Sequence, residues 1–539
     1  NFFLDFISLK CKFYIIFYNN FKMKILYKIA ILCDLNSLSG LGHLNRMKNL
    51  SKELEKKGSV CHYLFNKSDK KYIKQNTKNI KITYFSKNNK IKSIENILLK
   101  KNFSILILDS YKDNFILEKT LVKKGIFVVS LDDHLKKHFS NIVVTNRSGE
   151  ININNKTSNQ IWLTGSKHVL VTKKYKKKKL ENKFKKLRLL LHAGGSSSYR
   201  DIKEIASTTL EVANEYDLDL SILCTSKDSK NYINSLINKL YNLKKFKILP
   251  FIKNLSAKIG DYNIIVGPSG TTTFETILSG SIPFSAPLKN DGRDSFSSWS
   301  SIGHILHLSN KEKKNKTILR DMWSLIIKKH NKLLKILKEN SKQLDGLGPK
   351  RLANKIVYYY KKNKKKIIDK NIKKNNEIIV SEKCQISDIR HFLDARNQKL
   401  VREMSTSRNV ITLPEHINWW LKDDIKKYKL ILNGQNVAYH WCKINRDSNG
   451  KYVTTAWFLC KNQTKKLQLA YEVLNAQFKL VRKNYKNSTW IISMKKNNKF
   501  VHRLNKQFGF NPASEESILR LINKPSEKNN NLHVMEMKI

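Results

Sequence analysis

At 539 residues the chain is long enough for about three domains of ordinary size, each with a core of its own. A formal net charge of +60 would ordinarily signal nucleic acid, but the excess is nearly all lysine, spread evenly, accompanied by heavy Asn and Ile use and not interleaved with aromatics; AT-rich coding accounts for that mixture, leaving a general attraction for polyanions and no specific nucleic-acid partner. The seven cysteines lie far apart without a CxxC pair, which argues against a disulfide framework and a zinc site and for a reducing, cytoplasmic compartment.

The first stretch, residues 1–22, carries apolar runs broken by Asp5, Lys10, Lys12 and Lys22, too often for a transmembrane segment. It also lacks the small-residue cleavage site of a signal peptide. It reads as sequence translated upstream of a start at Met23, with a weak membrane-surface anchor as the alternative. From residue 23 to about 180, apolar runs alternate with amphipathic stretches. "YKIAILCD" reads as a strand, "LGHLNRMKNLSKELEKKG" as a helix closing on Gly58, and "VCHYLFN", "SILILDSY" and "IFVVSLDD" as further strands. Strands separated by helices predict a parallel, doubly wound sheet, whose ligands gather at the carboxyl ends of the strands. His43, Asp109, Tyr111, Asp132 and Asp133 all fall at those ends. Asp109 and Asp133 could equally cap the next helix; five polar groups on one edge favour a site. Gly40 and Gly42 would let the turn before the helix approach a ligand closely, although the spacing is not GxGxxG.

A second unit of the same kind spans 181–360. "LRLLLHAGGSSSYR" is a strand running into a Gly-Ser loop, with "DLSILCTS" and "FKILPF" as later strands. In "YNIIVGPSGTTTFETILSG" a strand ends in small residues that open a helix carrying Glu275. Free amides and the positive end of the dipole at such a start suit a diphosphate, and Glu275 could accept hydrogen bonds from ribose. The same residues would serve as an ordinary N-cap with a dipole-complementing glutamate.

Two such sheets in tandem predict a GT-B-like pair of Rossmann-type domains. The ordered series "GLGHLNR", "LDSY", "LDD", "HAGGSS", "IKNLSAKIGDYNIIVGPSGTTTFE" and "PLKNDGRDSFSSWSSIG" resembles the UDP-2,4-diacetamido-2,4,6-trideoxy-β-L-altropyranose hydrolases of pseudaminic acid biosynthesis, over residues 23 to about 355. The resemblance implies inverting, metal-independent hydrolysis of the bond between the sugar and UDP. It makes His43 the catalytic residue that orients or deprotonates water. It places Gly40, Gly42, Arg46, Asp109, Tyr111 and Asn290 at the sugar, and Gly194, Gly195, Ser269, Gly270, Thr271 and Glu275 at UDP. The chain departs from the family pattern where the Gly-Gly-Ser loop continues "SSYR" and where Asn290 is followed by Asp291 rather than Gln. A glycosyltransferase using the same UDP site, and a nonenzymatic polyanion-binding protein, are the rival readings.

Residues 361–376, "KKNKKKIIDKNIKKNN", read as a linker or solvated helix end. Beyond it, from 377 to 525, "ISDIRHFLDARNQKLVREMSTSRNVITLPEHINWWLKD" and "NKFVHRLNKQFGFNP" resemble acetyltransferases of the GNAT superfamily that act on amino sugars, which implies a mixed α/β GNAT-like domain and acetyl-CoA as cofactor. The stretch "CKNQTKKLQLAYEVL" lacks the glycines of their pyrophosphate loop, leaving Lys465 and Lys466 to attract phosphates, with Asn498 as a further contact. Asn505 stands where a proton-donating tyrosine is common. The expectation is therefore a domain that positions the sugar and transfers acetyl groups poorly, followed by a tail at 526–539.

Overall fold

The computed structural model describes residues 27–35, 42–77, 79–110, 114–133, 136–146, 160–175, 186–194, 199–239, 246–250, 252, 255–288, 296–363, 379–405, 407–448, 450–463, 466–521 and 532–539. The stretch expected to lie upstream of a start codon and nearly all of the expected linker fall outside them.

Seven parallel strands form the first sheet: β1 (Tyr27–Cys33), β2 (Ser59–Asn66), β3 (Lys81–Phe85), β4 (Ile105–Asp109), β5 (Phe127–Leu131), β6 (Ile142–Thr145) and β7 (Ile161–Thr164), in the order β3-β2-β1-β4-β5-β6-β7. The middle strands are apolar without alternation because helices cover both faces, so every residue of β4 and β5 is buried. The chain reverses its direction of progress between β1 and β4, which pair with Cys33 opposite Asp109. The second sheet repeats the plan with β8 (Arg188–His192), β9 (Asp219–Leu223), β10 (Phe246–Leu249), β11 (Ile264–Pro268) and β12 (Ile282–Ala286), in the order β10-β9-β8-β11-β12, with its reversal between β8 and β11. Two Rossmann-type sheets in tandem make the GT-B-like architecture that the alternation predicts.

Four helices of this part bear on the site: α1 (Gly42–Glu55), α2 (Phe115–Lys123), α3 (Thr271–Ser279) and α4 (Gly348–Asn363). Helix α1 buries Leu44, Met47, Leu50 and Leu54, a stripe at helical spacing. These residues share one core with Ile29 and Ile31 of β1 and with Leu352, Ala353 and Ile356 of α4. The chain thus passes through the second sheet and returns to cover the first. The return is close: a Cβ on Gly348 would sit 1.9 Å from the Val169 carbonyl oxygen.

The chain divides into two compact units. Both parallel sheets belong to the first. The second takes in Trp299–Ile305, Asn315–Ile336 and Asp369–Ile539, so part of the span expected in the second Rossmann-type domain groups elsewhere. Its mixed sheet has β13 (Ile379–Lys383), β14 (Ile425–Leu432), β15 (Gln435–Asp447), β16 (Gly450–Leu459), β17 (Thr489–Lys495), β18 (Asn511–Pro512) and β19 (Leu532–Lys538), in the order β13-β14-β15-β16-β17-β19-β18. All neighbours are antiparallel except β16 and β17, which pair in parallel only at Tyr452–Thr489, Val453–Trp490 and Thr454–Ile491 and then part. Its helices include α5 (Ile389–Arg396), α6 (Lys399–Met404), α7 (Leu413–Trp420), α8 (Lys466–Asn484) and α9 (Lys499–Gln507). Within the expected tail, Leu532–Lys538 forms β19, which lies between β17 and β18 with Met535 and Met537 buried on alternate positions.

Candidate active site

The first turns of α1 put His43 and Arg46, one helical turn apart, over the carboxyl ends of β4 and β5. His43 Nδ1 lies 2.8 Å from Asp109 Oδ1. Arg46 donates through Nε to Asp109 Oδ2 at 2.6 Å and through Nη1 to Asp133 Oδ2 at 2.9 Å, while its Nη2 also contacts Asp109 Oδ1. Asp109 has no solvent exposure and His43 only 3%. Burial alone would raise the Asp109 carboxyl, but the charges of Arg46 and His43 and their hydrogen bonds outweigh it and hold it well below the usual carboxylate range. The ionised Asp109 faces His43 Nδ1, and Arg46 Nη2 lies 3.1 Å from the same nitrogen. The same burial, then the charge of Asp109, pushes the Cys33 thiol well above its ordinary value, so this buried cysteine is no nucleophile.

Of the residues expected at the sugar, Asp109 has both carboxylate oxygens in contact with His43 and Arg46 and no exposed surface. Arg46 likewise spans two carboxylates. Gly40, Tyr111 and Asn290 lie outside the described residues.

The second sheet brings α3 to the same place. A Cβ on Gly42 would touch Thr271 Oγ1 at 3.6 Å, so the starts of α1 and α3 lie side by side. Gly267 precedes α3 in β11, and a Cβ there would stand 2.5 Å from both His192 Nε2 and the His192 carbonyl oxygen; only glycine permits this contact between β8 and β11. Burial lowers His192 to about 4, and its Nδ1 accepts from the Gly194 amide at 3.1 Å. Not every amide expected at UDP is available. The Ser269 amide donates to Ala286 at 2.9 Å and the Gly270 amide to Thr273 Oγ1 at 3.3 Å. Thr271 and Thr272, in the first turn of α3, have no intrahelical acceptor for theirs. Glu275, one turn further, is raised to about 6 by burial, against the lowering effects of a hydrogen bond from Tyr175 and the charge of Lys174. Gly195 lies outside the described residues.

No protein-family model matches the chain. An uncharacterized protein of Methanocaldococcus jannaschii is 28% identical over 270 residues, 47% of this chain and 54% of that protein, so the chain spans about half the length of the curated relative it matches. Among solved structures, MurG of Acinetobacter baumannii overlaps 62% of this chain and 99% of its own at a TM-score of 0.46 and 12% identity. UDP-GlcNAc 2-epimerase of Methanocaldococcus jannaschii overlaps 61% and 99% at 0.42 and 16%. HepE of Anabaena, in complex with UDP and glucose, overlaps 62% and 100% at 0.44 and 11%. The strand orders, not these overlaps, carry the fold assignment. Among the described residues, no helix is long and apolar enough to cross a membrane.

Sequence reasoning missed a second polar cluster behind the first sheet's edge. Glu118 of α2, fully buried, accepts from Ser130 Oγ at 2.7 Å, from the Phe139 amide at 2.6 Å and from His138 Nδ1 at 2.8 Å. His138 Nε2 lies 3.2 Å from Asp132 Oδ2. Burial opposes charge on this imidazole, but hydrogen bonds to Asp132 and Glu118 prevail and raise it to about 9. The one signal in the sequence is a glutamate beside Leu117 and Leu121 on the apolar face of α2.

In the second unit, Lys466 opens α8 and is exposed; Lys465 lies outside the described residues. Asn498 caps α9 by accepting from the Val501 amide at 3.3 Å. Asn505 is buried, with Nδ2 3.6 Å from Met494 Sδ, where it cannot deliver a proton to a ligand.

Proposed function

We propose that the first unit removes UDP from a UDP-linked 2,4-diacetamido-2,4,6-trideoxy sugar of pseudaminic-acid type, with water as the acceptor. The observation that carries this reading is the buried Asp109–His43 pair beside the start of α3. His43 Nε2 takes the proton of a water that attacks the anomeric carbon. The bond from that carbon to the diphosphate oxygen breaks, and UDP leaves as the anion. Asp109 holds the imidazole in the productive tautomer and stabilises the imidazolium that forms. The first-turn amides and positive dipole end of α3 stabilise charge on the leaving diphosphate. Glu275 accepts from the ribose hydroxyls. The motif series quoted from the sequence supplies the sugar class.

The strand order of the mixed sheet, with a parallel pair that opens after three residues, supports the GNAT-like reading of the second unit. Its place would be acetylation of the 4-amino group with acetyl-CoA, the step before UDP removal. The absence of glycine before α8 and the burial of Asn505 support weak transfer.

The deciding measurement is UDP release from the candidate UDP-sugar with no acceptor present, followed by identification of the freed sugar. His43→Ala should lower the rate by about a hundredfold to ten-thousandfold and leave UDP affinity nearly unchanged. Near-normal turnover in the folded variant overturns the assignment. Release only when a hydroxyl acceptor is added would make the unit a glycosyltransferase.

A further inference from the structure

Two of the amides expected at the diphosphate are spent inside the protein, that of Ser269 on Ala286 and that of Gly270 on Thr273. What Ser269 still has to donate at the start of α3 is its hydroxyl proton, and Ser269 is partly exposed there. That hydroxyl has a buried neighbour. Ser269 Oγ lies 3.3 Å from His307 Nδ1, and Ser285 Oγ of β12 lies 3.2 Å from the same nitrogen. His307 itself is only 3% exposed.

The backbone holds the imidazole in this place. The Ser285 amide donates to the Leu306 carbonyl at 3.2 Å and the Ser285 carbonyl accepts from the Leu308 amide at 2.8 Å, so the chain returns alongside β12 in a parallel bridge between Ser285 and His307. Leu306 and Leu308 are buried on either side of the histidine. The Phe296 ring packs against the imidazole with centroids 5.2 Å apart. Lys313, also buried, donates to the carbonyls of Pro287 and Leu288 just beyond β12 and fastens the same return segment a second time.

A serine hydroxyl has one proton to give and two lone pairs with which to accept. If the Ser269 proton goes to Nδ1, only lone pairs face a diphosphate at α3, and they repel it. If Nδ1 carries the hydrogen and donates to Oγ, the serine proton is left for a phosphate oxygen, and the chain from imidazole to hydroxyl to anion strengthens both of its links. We infer that His307 is a positioning residue of the UDP site, whose Nδ1–H donates to Ser269 Oγ and aims the Ser269 hydroxyl at the diphosphate. This rests on the placing of UDP at α3 proposed above, and not on water as the acceptor. His307 does not touch UDP, and no bond is made or broken at it. Its effect is to give the diphosphate a side-chain donor where two backbone amides are taken.

Calorimetry with UDP on the full chain tests the link through a double-substitution cycle. Ser269→Ala and His307→Leu should each weaken UDP by about tenfold, the worth of one hydrogen bond to a charged group, and the two together by no more than either alone. His307→Gln, which keeps a polar side chain but moves its amide away from the Nδ1 position, carries the same cycle if leucine unfolds the chain. Uridine has no diphosphate, so its binding, followed by ligand-detected NMR, should be equal in all variants. The proposal is overturned if the two losses multiply or if the folded His307 variants bind UDP as before. It is also overturned if they lose uridine along with UDP, which would make His307 a packing residue of the sheet edge. Assays of UDP release separate this result from the reading on which it rests. A chain that shows the cycle but frees no UDP from the sugar keeps His307 in its role and loses the hydrolase; one that hydrolyses with multiplying losses keeps the hydrolase and loses the role of His307. A wild-type chain that binds no UDP overturns both.

Discussion

Asp109 is at once buried, ionised and doubly bound, and each property depends on the others. Asp109→Asn keeps the shape but offers donors where acceptors are needed, so the imidazole loses its tautomer and Arg46 loses a charge partner. The rate of UDP release should fall by about a hundredfold to ten-thousandfold. Breaking one side of a buried pair should cost roughly 3–5 kcal/mol in denaturant unfolding. Because the folded pKa of Asp109 is depressed, its stabilisation is present above the ordinary carboxylate value and is lost as pH falls through the folded one. The acid limb of the wild-type unfolding curve should therefore flatten in the variant. Glu275 shifts the opposite way. Raised to about 6, it carries a charge, and so is a strong acceptor, mainly above that pH; on the proposed function, UDP affinity measured by calorimetry should weaken as pH falls below about 6. Glu275→Gln, measured alongside, removes UDP's own titration from the comparison. Tyr175→Phe removes a hydrogen bond that lowers Glu275 and should move the midpoint upward; an unmoved midpoint would show that Glu275 is not the titrating group.

At the scale of elements, the contact of Gly267 with His192 is the tightest restraint between β8 and β11. Gly267→Ala must push His192 or its backbone away, which should cost about 1–3 kcal/mol of stability and weaken UDP binding; thermal melting and calorimetry check both. The Glu118–His138–Asp132 cluster fastens α2 and the segment after β5, next to the Asp133 that holds Arg46. His138 is raised in the folded state, so its contribution is full below its unfolded value near 6.5 and is lost as pH rises through about 9. Glu118→Gln should lower that folded value, and stability between pH 7 and 9 should then vary less. Much of this frame was legible because parallel strands covered on both faces read as unbroken apolar runs, and because their carboxyl ends are where ligands gather; His43, Asp109 and Asp133 were found that way. The roles were less legible. No local pattern tells that Asp109 turns inward to His43 and Arg46, or that His138 reaches Glu118 across 20 residues of chain. The strand at 532–538 was missed because its alternation is short and its partners, β17 and β18, lie earlier in the chain.

For the whole molecule, a charge of +60 should produce only weak, unspecific nucleic-acid binding that collapses between low and physiological salt, as counterion release requires. Filter binding across a salt series checks this, and sequence-selective binding that survives physiological salt would contradict the compositional reading. The insertion of β19 between β17 and β18 bears on how the protein is made. Synthesis is vectorial, and the mixed sheet cannot close while residues 532–538 are still to be added. Until then one edge of β17, Thr489–Lys495, stands bare with its central Ile491 and Ile492, a ready template for pairing with a strand of another nascent chain on the same messenger. The order of translation thus leaves that edge of β17 without its partner until β19 has been made.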